Sequence, residues 1–136
     1  MLETHFHVAN ELLGNPYFVY GEVVHGNHLG RTIGFPTMNQ RIPEKKLTPA
    51  FGVYASRVYV DGEYYVGISN LGRKPTIEGE HKTGLETYLL DYNGDLYGKK
   101  LKTELLYYIR PEEKFNSIDD LTKQIHNDIE TMKQMM

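Results

Sequence analysis

The feature that most constrains the fold is a succession of strand-like runs separated by turn signals. Runs rich in tyrosine, valine and isoleucine, which favour strands, cover residues 17–24, 52–60, 63–69, 84–91 and 99–109. Asp61-Gly62 separates two of these runs and favours a type I′ hairpin, because glycine tolerates the positive φ that this turn requires. Strands do not alternate with helices, so a parallel doubly wound sheet is not expected. The pattern predicts a mainly β protein built as a small antiparallel barrel.

The period of the apolar residues changes to a helical one near the end of the chain. One apolar stripe is formed by Ile118, Leu121, Ile125, Ile129 and Met132, at the spacing of an amphipathic helix. Ser117 is suited to cap the first turn, because its hydroxyl can accept a hydrogen bond from a free backbone N–H. We therefore expect a C-terminal helix, and a shorter helix is predicted before Gly14.

Composition excludes several classes of protein. With 136 residues the chain is expected to form one folded domain. The net charge of -3 argues against a general nucleic-acid binder, which would present a basic face. The absence of cysteine excludes disulfides, thiolate metal sites and a cysteine nucleophile. No apolar run approaches ~18 residues, and the first ten residues lack the apolar core of a signal peptide. We expect a cytoplasmic protein with no membrane or nucleic-acid partner.

The segment 30–39 carries the strongest chemical signal. Gly30 and Arg31 suit a polyphosphate, since glycine exposes backbone N–H groups and arginine binds phosphate oxygens. Thr37 and Asn39 lie two residues apart on an extended segment, so both can face one hard cation such as Mg²⁺. No G-x-x-x-x-G-K-[ST] motif is present, so the segment is not a P-loop. The alternatives are an ordinary glycine loop, and a turn after Pro36 held by the two polar side chains.

Several motifs, in order and over residues 14–132, resemble those of the riboflavin kinase (flavokinase) family. The resemblance extends to the C-terminal kinase module of bacterial bifunctional riboflavin kinase/FAD synthetases. One position departs from the pattern, because Tyr88 stands where many members have histidine. The motifs are Gly21-Glu22-Val23-Val24-His25-Gly26, Gly34-Phe35-Pro36-Thr37-Met38-Asn39, Asn70-Leu71-Gly72-Arg73-Lys74-Pro75-Thr76, Leu85-Glu86-Thr87-Tyr88 and Ile109-Arg110-Pro111-Glu112.

The resemblance implies a fold, a domain division and an activity. The expected fold is a six-stranded antiparallel Greek-key barrel with a C-terminal helix and a short N-terminal helix. Residues 1–14 would be a linker or helix, and residues 15–136 the riboflavin kinase domain. The implied reaction transfers the γ-phosphate of ATP, with Mg²⁺, to the 5′-hydroxyl of riboflavin and gives FMN and ADP. In longer family members this module is fused to an FMN adenylyltransferase domain.

The resemblance also implies the site residues. The catalytic base would be Glu86, and Arg110 would stabilise charge near the transferred phosphate. Thr37 and Asn39 would also guide the Mg²⁺ ion. The nucleotide-binding positions are Gly26, Gly30, Arg31, Thr37 and Asn39, and the flavin-binding positions are Gly79, Lys82, Gly84, Arg110 and Phe115.

Simpler alternatives stand beside these assignments. Glu86 could be a barrel-rim glutamate in a structural ion pair, and Arg110 could pair with Glu112 or Glu113. Two rival classes of protein also remain open. One is a flavin- or nucleotide-binding regulatory barrel without kinase activity, and the other is an oligonucleotide-binding barrel, which the acidic charge disfavours.

Overall fold

The computed structural model describes residues 17–24, 37–43, 48–75, 81–92, 94 and 96–135. These residues form six strands and one helix. The predicted N-terminal helix and the linker 1–14 lie outside the described residues. The elements are β1 (Tyr17–Val24), β2 (Thr37–Arg41), β3 (Gly52–Val60), β4 (Glu63–Pro75), β5 (His81–Leu89), β6 (Lys100–Arg110) and α1 (Ile118–Met135).

The six strands close into one antiparallel barrel in the order β1-β2-β5-β4-β3-β6. The chain passes from β2 across the barrel to β3, so that β5 rather than β3 pairs with β2. Closure pairs every strand on both sides, which removes the exposed edges that an open sheet would present. The prediction of a mainly β, six-stranded antiparallel barrel with a C-terminal helix is confirmed.

Two strands differ from the sequence-based prediction in ways that matter for the site. The predicted hairpin is present, with positive φ angles of 48° at Asp61 and 92° at Gly62. After it, however, β4 continues beyond residue 69, where the predicted run ends, as far as Pro75. The short strand β2 contains Thr37 and Asn39 and was expected only as an extended segment. These additions bring Asn39 and Asn70 into the sheet on either side of β5.

The barrel interior consists of two apolar clusters with a polar layer between them. Along β5, Leu85 belongs to one cluster, Leu89 to the other, and the buried Thr87 lies between them. The hydroxyl of Ser69 is 2.7 Å from that of Thr87 and 2.7 Å from that of Ser56. These buried hydroxyls therefore satisfy one another, as buried polar groups must if they are not to destabilise a core.

The helix α1 covers part of the outer face of the barrel. Its buried residues Ile125, Ile129 and Met132 pack with Ile68 of β4 and Tyr88 of β5. The predicted cap is present, since the backbone N–H of Asp120 donates to the Ser117 hydroxyl at 3.1 Å. In the described part of the chain, no helix is both long and apolar enough to cross a membrane. Because Tyr88 packs under the helix, the outer face of β5 is apolar at that end.

Candidate active site

Glu86 lies at the centre of a polar row that crosses three strands. It stands directly opposite Asn39 of β2 on one side and Asn70 of β4 on the other. Directly opposite residues of antiparallel strands have Cβ atoms about 4.5–5.5 Å apart on the same face of the sheet. Because Leu85 and Leu89 point into the barrel, the alternation along β5 places Glu86 on the outer face. The row therefore presents one carboxylate between two carboxamides.

Two further rows flank this one on the same face. On the helix side, Thr37 stands opposite Tyr88. On the other side, Gly84 stands opposite Gly72 of β4. The first of these rows adds a hydroxyl beside Asn39. The second has no side chain on β4 or β5, and its third member is Arg41 of β2, opposite Gly84.

Tyr88 holds the Glu86 side chain. The Tyr88 hydroxyl donates a hydrogen bond to Oε1 of Glu86 at 3.1 Å. Glu86 is buried, with only 8% of its surface exposed. Burial raises the pKa of Tyr88 above its ordinary value of 10.0, and the charge and hydrogen bond of Glu86 raise it further. Tyr88 therefore stays a neutral donor at physiological pH. The hydrogen bond fixes one carboxylate oxygen and leaves the other for an incoming donor.

Buried tyrosines also set how stability should depend on alkaline pH. Burial raises the pKa of Tyr54 as it does that of Tyr88. Above about pH 10 the unfolded chain loses these protons while the folded chain keeps them. The free energy of unfolding should then fall by up to about 1.4 kcal/mol per pH unit for each tyrosine. Urea unfolding at pH 9 and pH 11 measures this fall, which should be smaller in the Tyr54→Phe/Tyr88→Phe double variant; an equal fall in both proteins would contradict it.

Thr37 and Asn39 offer a hydroxyl and an amide oxygen on the face that carries Glu86. Oxygen donors of this kind suit Mg²⁺, and neutral ones leave the charge balance to a phosphate ligand. Among the residues that the structure describes, no group of three or more His, Cys, Asp or Glu side chains could hold a metal. Because the Thr37 and Asn39 donors are neutral, they fit a cation that arrives with a polyphosphate, and their assignment to Mg²⁺ stays a prediction.

The glycine row includes the predicted flavin position Gly84, and Glu112, from between the predicted positions Arg110 and Phe115, contacts it. Gly72 and Gly84 form a buried patch beside Glu86, hereafter the glycine patch. Glu112, from the segment after β6, lies over it, since a Cβ added to Gly72 would be 2.6 Å from the Glu112 Cδ. The patch thus brings together β5 and the segment 110–115. A planar ring or a polyol chain would lie flat on this surface once the Glu112 side chain moves aside.

Arg110 binds the helix. Its Nε and Nη2 atoms each donate to a carboxylate oxygen of Asp128 at 2.9 Å, and its Nη1 atom donates to the Pro111 carbonyl at 3.1 Å. The guanidinium also lies 5.7 Å from the centre of the Phe115 ring. The acceptor is thus Asp128 and not the Glu112 or Glu113 of the sequence-based alternative. Contact with Phe115 places two predicted flavin positions together, and the catalytic role of Arg110 stays a prediction.

Other predicted site residues fall beyond what the structure describes. Gly26, Gly30, Arg31 and Gly79 lie outside the described residues, and Lys82 is described only as a backbone position in β5. The nucleotide assignments of Gly26, Gly30 and Arg31 and the flavin assignments of Gly79 and Lys82 therefore stay predictions. The strands that lead to and from them do end at this face, because Val24 of β1 pairs with Asn39 and β5 begins at His81.

Three residues of the site were not found from the sequence. Asn70 and Gly72 stand in one of the motifs that resemble the family, but no site role was predicted for them, because their place beside Glu86 follows from the pairing of β4 with β5. Asp128 did carry a signal. It lies at helical spacing from Ile125 and Ile129, so a carboxylate within the apolar stripe indicated a buried ion pair.

Known proteins resemble this chain over nearly its whole length. The family model for flavokinase, described as riboflavin kinase, matches residues 13–136. A bifunctional riboflavin kinase/FMN adenylyltransferase of Haemophilus influenzae is 46% identical over 127 residues, which are 93% of this chain and 41% of that protein. The chain therefore spans about two fifths of that relative's length.

Two solved structures share the fold. A riboflavin kinase from Trypanosoma brucei is 27% identical, with a TM-score of 0.62 over 88% of this chain and 79% of that one. A protein from Streptococcus pneumoniae, described as a macrolide-efflux protein, is 36% identical with a TM-score of 0.83 over 97% of this chain and 43% of that one. With the family model matched over nearly its whole length and its fold shared with a solved riboflavin kinase, the chain belongs to the riboflavin kinase family.

Proposed function

We propose that this chain transfers the γ-phosphate of ATP to the 5′-hydroxyl of riboflavin, giving FMN and ADP. The observation that carries the proposal is the row in which Glu86 lies between Asn39 and Asn70, with Thr37 and Tyr88 in the next row. It joins a held carboxylate to a pair of neutral oxygen donors on one face. Phosphoryl transfer needs these two elements, an oriented nucleophile and stabilisation of phosphate charge.

Glu86 would act on the nucleophile. Its Oε1 atom is bound by Tyr88, so its other oxygen is available to accept the proton of the riboflavin 5′-hydroxyl. As the hydroxyl oxygen forms its bond to the γ-phosphorus, the bond from that phosphorus to the ADP oxygen breaks. The proton passes to Glu86 and ADP leaves with the electron pair of the broken bond. Burial of Glu86 limits competition by water for the same acceptor.

Thr37 and Asn39 would hold the Mg²⁺ ion that accompanies ATP, on the β2 side of Glu86. When bound, Mg²⁺ neutralises charge on the phosphate oxygens. The two side chains fix where the nucleotide phosphates lie relative to Glu86. On the opposite side of Glu86, the glycine patch would receive the flavin, with Gly84 and the segment 110–115 as its borders.

A pair of glycine substitutions tests the flavin patch. In Gly72→Ala the new Cβ occupies the patch and displaces the exposed Glu112 side chain, which can move. The KM for riboflavin should rise about 5- to 100-fold, while the free energy of unfolding changes by less than about 1 kcal/mol.

Gly67→Ala is the matched control on the same strand. There the new Cβ would lie 2.8 Å from the backbone carbonyl oxygen of Tyr88 and 3.0 Å from Cγ2 of Thr87, inside the barrel. This variant should lose about 1–3 kcal/mol of stability and keep its KM for riboflavin. Steady-state kinetics and urea unfolding of both variants give the comparison. An unchanged KM for riboflavin in Gly72→Ala would show that the flavin does not bind at the glycine patch.

The proposal extends to the setting of the chain. We propose that it works as a kinase module with ATP and riboflavin as its substrates, in the cytoplasm, with no nucleic-acid or membrane partner. Its relatives are named as bifunctional proteins, which supports a fusion to an FMN adenylyltransferase domain in the full-length protein. Residues 15–136 would form the kinase domain and residues 1–14 the linker.

One reaction mixture tests the function. Protein, riboflavin, ATP and Mg²⁺ are incubated, and the products are separated by chromatography. The proposal predicts FMN and ADP in equal amounts. Riboflavin that binds to the protein without any FMN being formed would instead indicate the regulatory barrel.

A further inference from the structure

Asn70 carries a buried oxygen that has no hydrogen-bond partner in the described part of the chain. Its Oδ1 atom is buried and makes no hydrogen bond to any residue that the structure describes. Buried acceptors are rarely left unpaired in proteins, because burial removes their hydrogen bonds to water and an unpaired acceptor gains none in return. The neighbouring buried hydroxyl on the same strand, that of Ser69, is satisfied by two hydrogen bonds. The free oxygen of Asn70 is therefore a local exception on the face that carries the site.

The position of Asn70 indicates which ligand would meet it. Asn70 stands directly opposite Glu86, and it lies two residues before Gly72 on the same face. Asn39 and Thr37, which suit the cation, stand on β2 at the other side of Glu86. Asn70 is thus on the flavin side of the row, away from the predicted nucleotide phosphates.

The chemistry of the two oxygens narrows the ligand further. An ionised Glu86 and Oδ1 of Asn70 are both hydrogen-bond acceptors, so the group between them must bring two donors. ATP phosphates offer only acceptors at physiological pH. A polyol offers adjacent hydroxyls, and the ribityl chain of riboflavin carries its 4′-hydroxyl on the carbon next to the 5′-carbon.

We propose that Oδ1 of Asn70 accepts a hydrogen bond from the 4′-hydroxyl of riboflavin while Glu86 accepts from the 5′-hydroxyl. This inference rests on the proposed kinase function. Two directly opposite side chains with Cβ atoms about 5 Å apart would then bind two hydroxyls on neighbouring carbons. Asn70 becomes a specificity residue that recognises the polyol and fixes the rotation of its reacting end.

The test combines one variant with one substrate analogue. The wild-type protein should use 4′-deoxyriboflavin with a kcat/KM about 10- to 100-fold below that for riboflavin, because Oδ1 of Asn70 is left unpaired. Asn70→Ala should lower kcat/KM for riboflavin about 5- to 30-fold. With the deoxy analogue, Asn70→Ala should be no worse than the wild type, because both partners of the hydrogen bond are then absent.

Asn39→Ala is the contrasting variant, from the other end of the same row. It should lower kcat/KM for both flavins by the same factor, since its predicted contact is with the cation. Asn70→Ser, which keeps a hydroxyl oxygen, should retain part of the preference for riboflavin. Each variant is judged by the ratio of its kcat/KM for riboflavin to its kcat/KM for the deoxy analogue. A smaller fraction of folded protein lowers both values equally and leaves this ratio unchanged.

The outcomes separate the inference from the proposed function. Failure of the wild type to form FMN would overturn the function itself. FMN formation with an unchanged substrate ratio in Asn70→Ala would overturn only the inference. A raised Mg²⁺ requirement in Asn70→Ala, with the substrate ratio unchanged, would also overturn it and assign Asn70 to the cation.

Discussion

Replacing Glu86 by glutamine should lower kcat by about 10²- to 10⁴-fold, the usual contribution of a general base. Glutamine keeps the size of the side chain and an oxygen for the Tyr88 hydroxyl, which donates to Oε1 of Glu86 at 3.1 Å. It cannot accept the proton of the riboflavin hydroxyl. The barrel should therefore stay folded while the chemical step slows. Steady-state rates of FMN formation measure the effect.

Glu104→Gln is the matched control. Glu104 is also a buried glutamate of the barrel, 5% exposed, and it pairs with Arg57 at 3.0 Å on β3. Its neutralisation should reduce stability and leave kcat near the wild-type value. Near wild-type kcat in Glu86→Gln, or an equal loss in both variants, would remove Glu86 from the role of base.

Asp128→Ala should destabilise the protein by about 3 kcal/mol, at the low end of the cost of breaking a buried ion pair. The Asp128 side chain is 2% exposed and that of Arg110 is 16% exposed, so the remaining cation regains only partial contact with water. The substitution removes the two hydrogen bonds from Arg110 to Asp128 and the 3.0 Å hydrogen bond from Gln124 to Asp128. Thermal unfolding should shift down by roughly 10 °C for a domain of this size.

The exposed pair of the same helix gives the comparison. Lys133 and Glu130 are 3.8 Å apart, with side chains 63% and 70% exposed. Glu130→Ala should change the free energy of unfolding by no more than about 0.5 kcal/mol. An equally small effect of Asp128→Ala would show that the Arg110 pair does not hold α1 on the barrel, and would leave Arg110 available for the catalytic role.

Much of the fold follows from local sequence signals. The Asp61-Gly62 dipeptide predicts its hairpin because few residues other than glycine accept a φ of 92°. The apolar stripe from Ile118 to Met132 predicts α1, and Ser117 predicts where it begins. In these places one short stretch of chain contains the whole physical reason for its structure.

The parts that sequence reasoning missed depend on partners far along the chain. Strand β2 has no apolar run that would identify it in the sequence. Only Met38 and Gln40 of its five residues are buried in the barrel, and one of these two is polar. Asn70 is recognisable as a site residue only once β4 is paired with β5. The Arg110–Asp128 pair joins residues 18 positions apart on different elements. Glu86 itself was found through resemblance to a family, since a lone glutamate on a strand carries no mechanism.

The most direct measurement follows the γ-phosphate itself. ATP labelled in its γ-phosphate is mixed with riboflavin, Mg²⁺ and excess protein, and the labelled product is identified after one turnover. The account predicts label in FMN for the wild type and for Glu104→Gln, with the transfer slowed by about 10²- to 10⁴-fold in Glu86→Gln. Label released as inorganic phosphate, or label reaching FMN equally fast in Glu86→Gln, would contradict it.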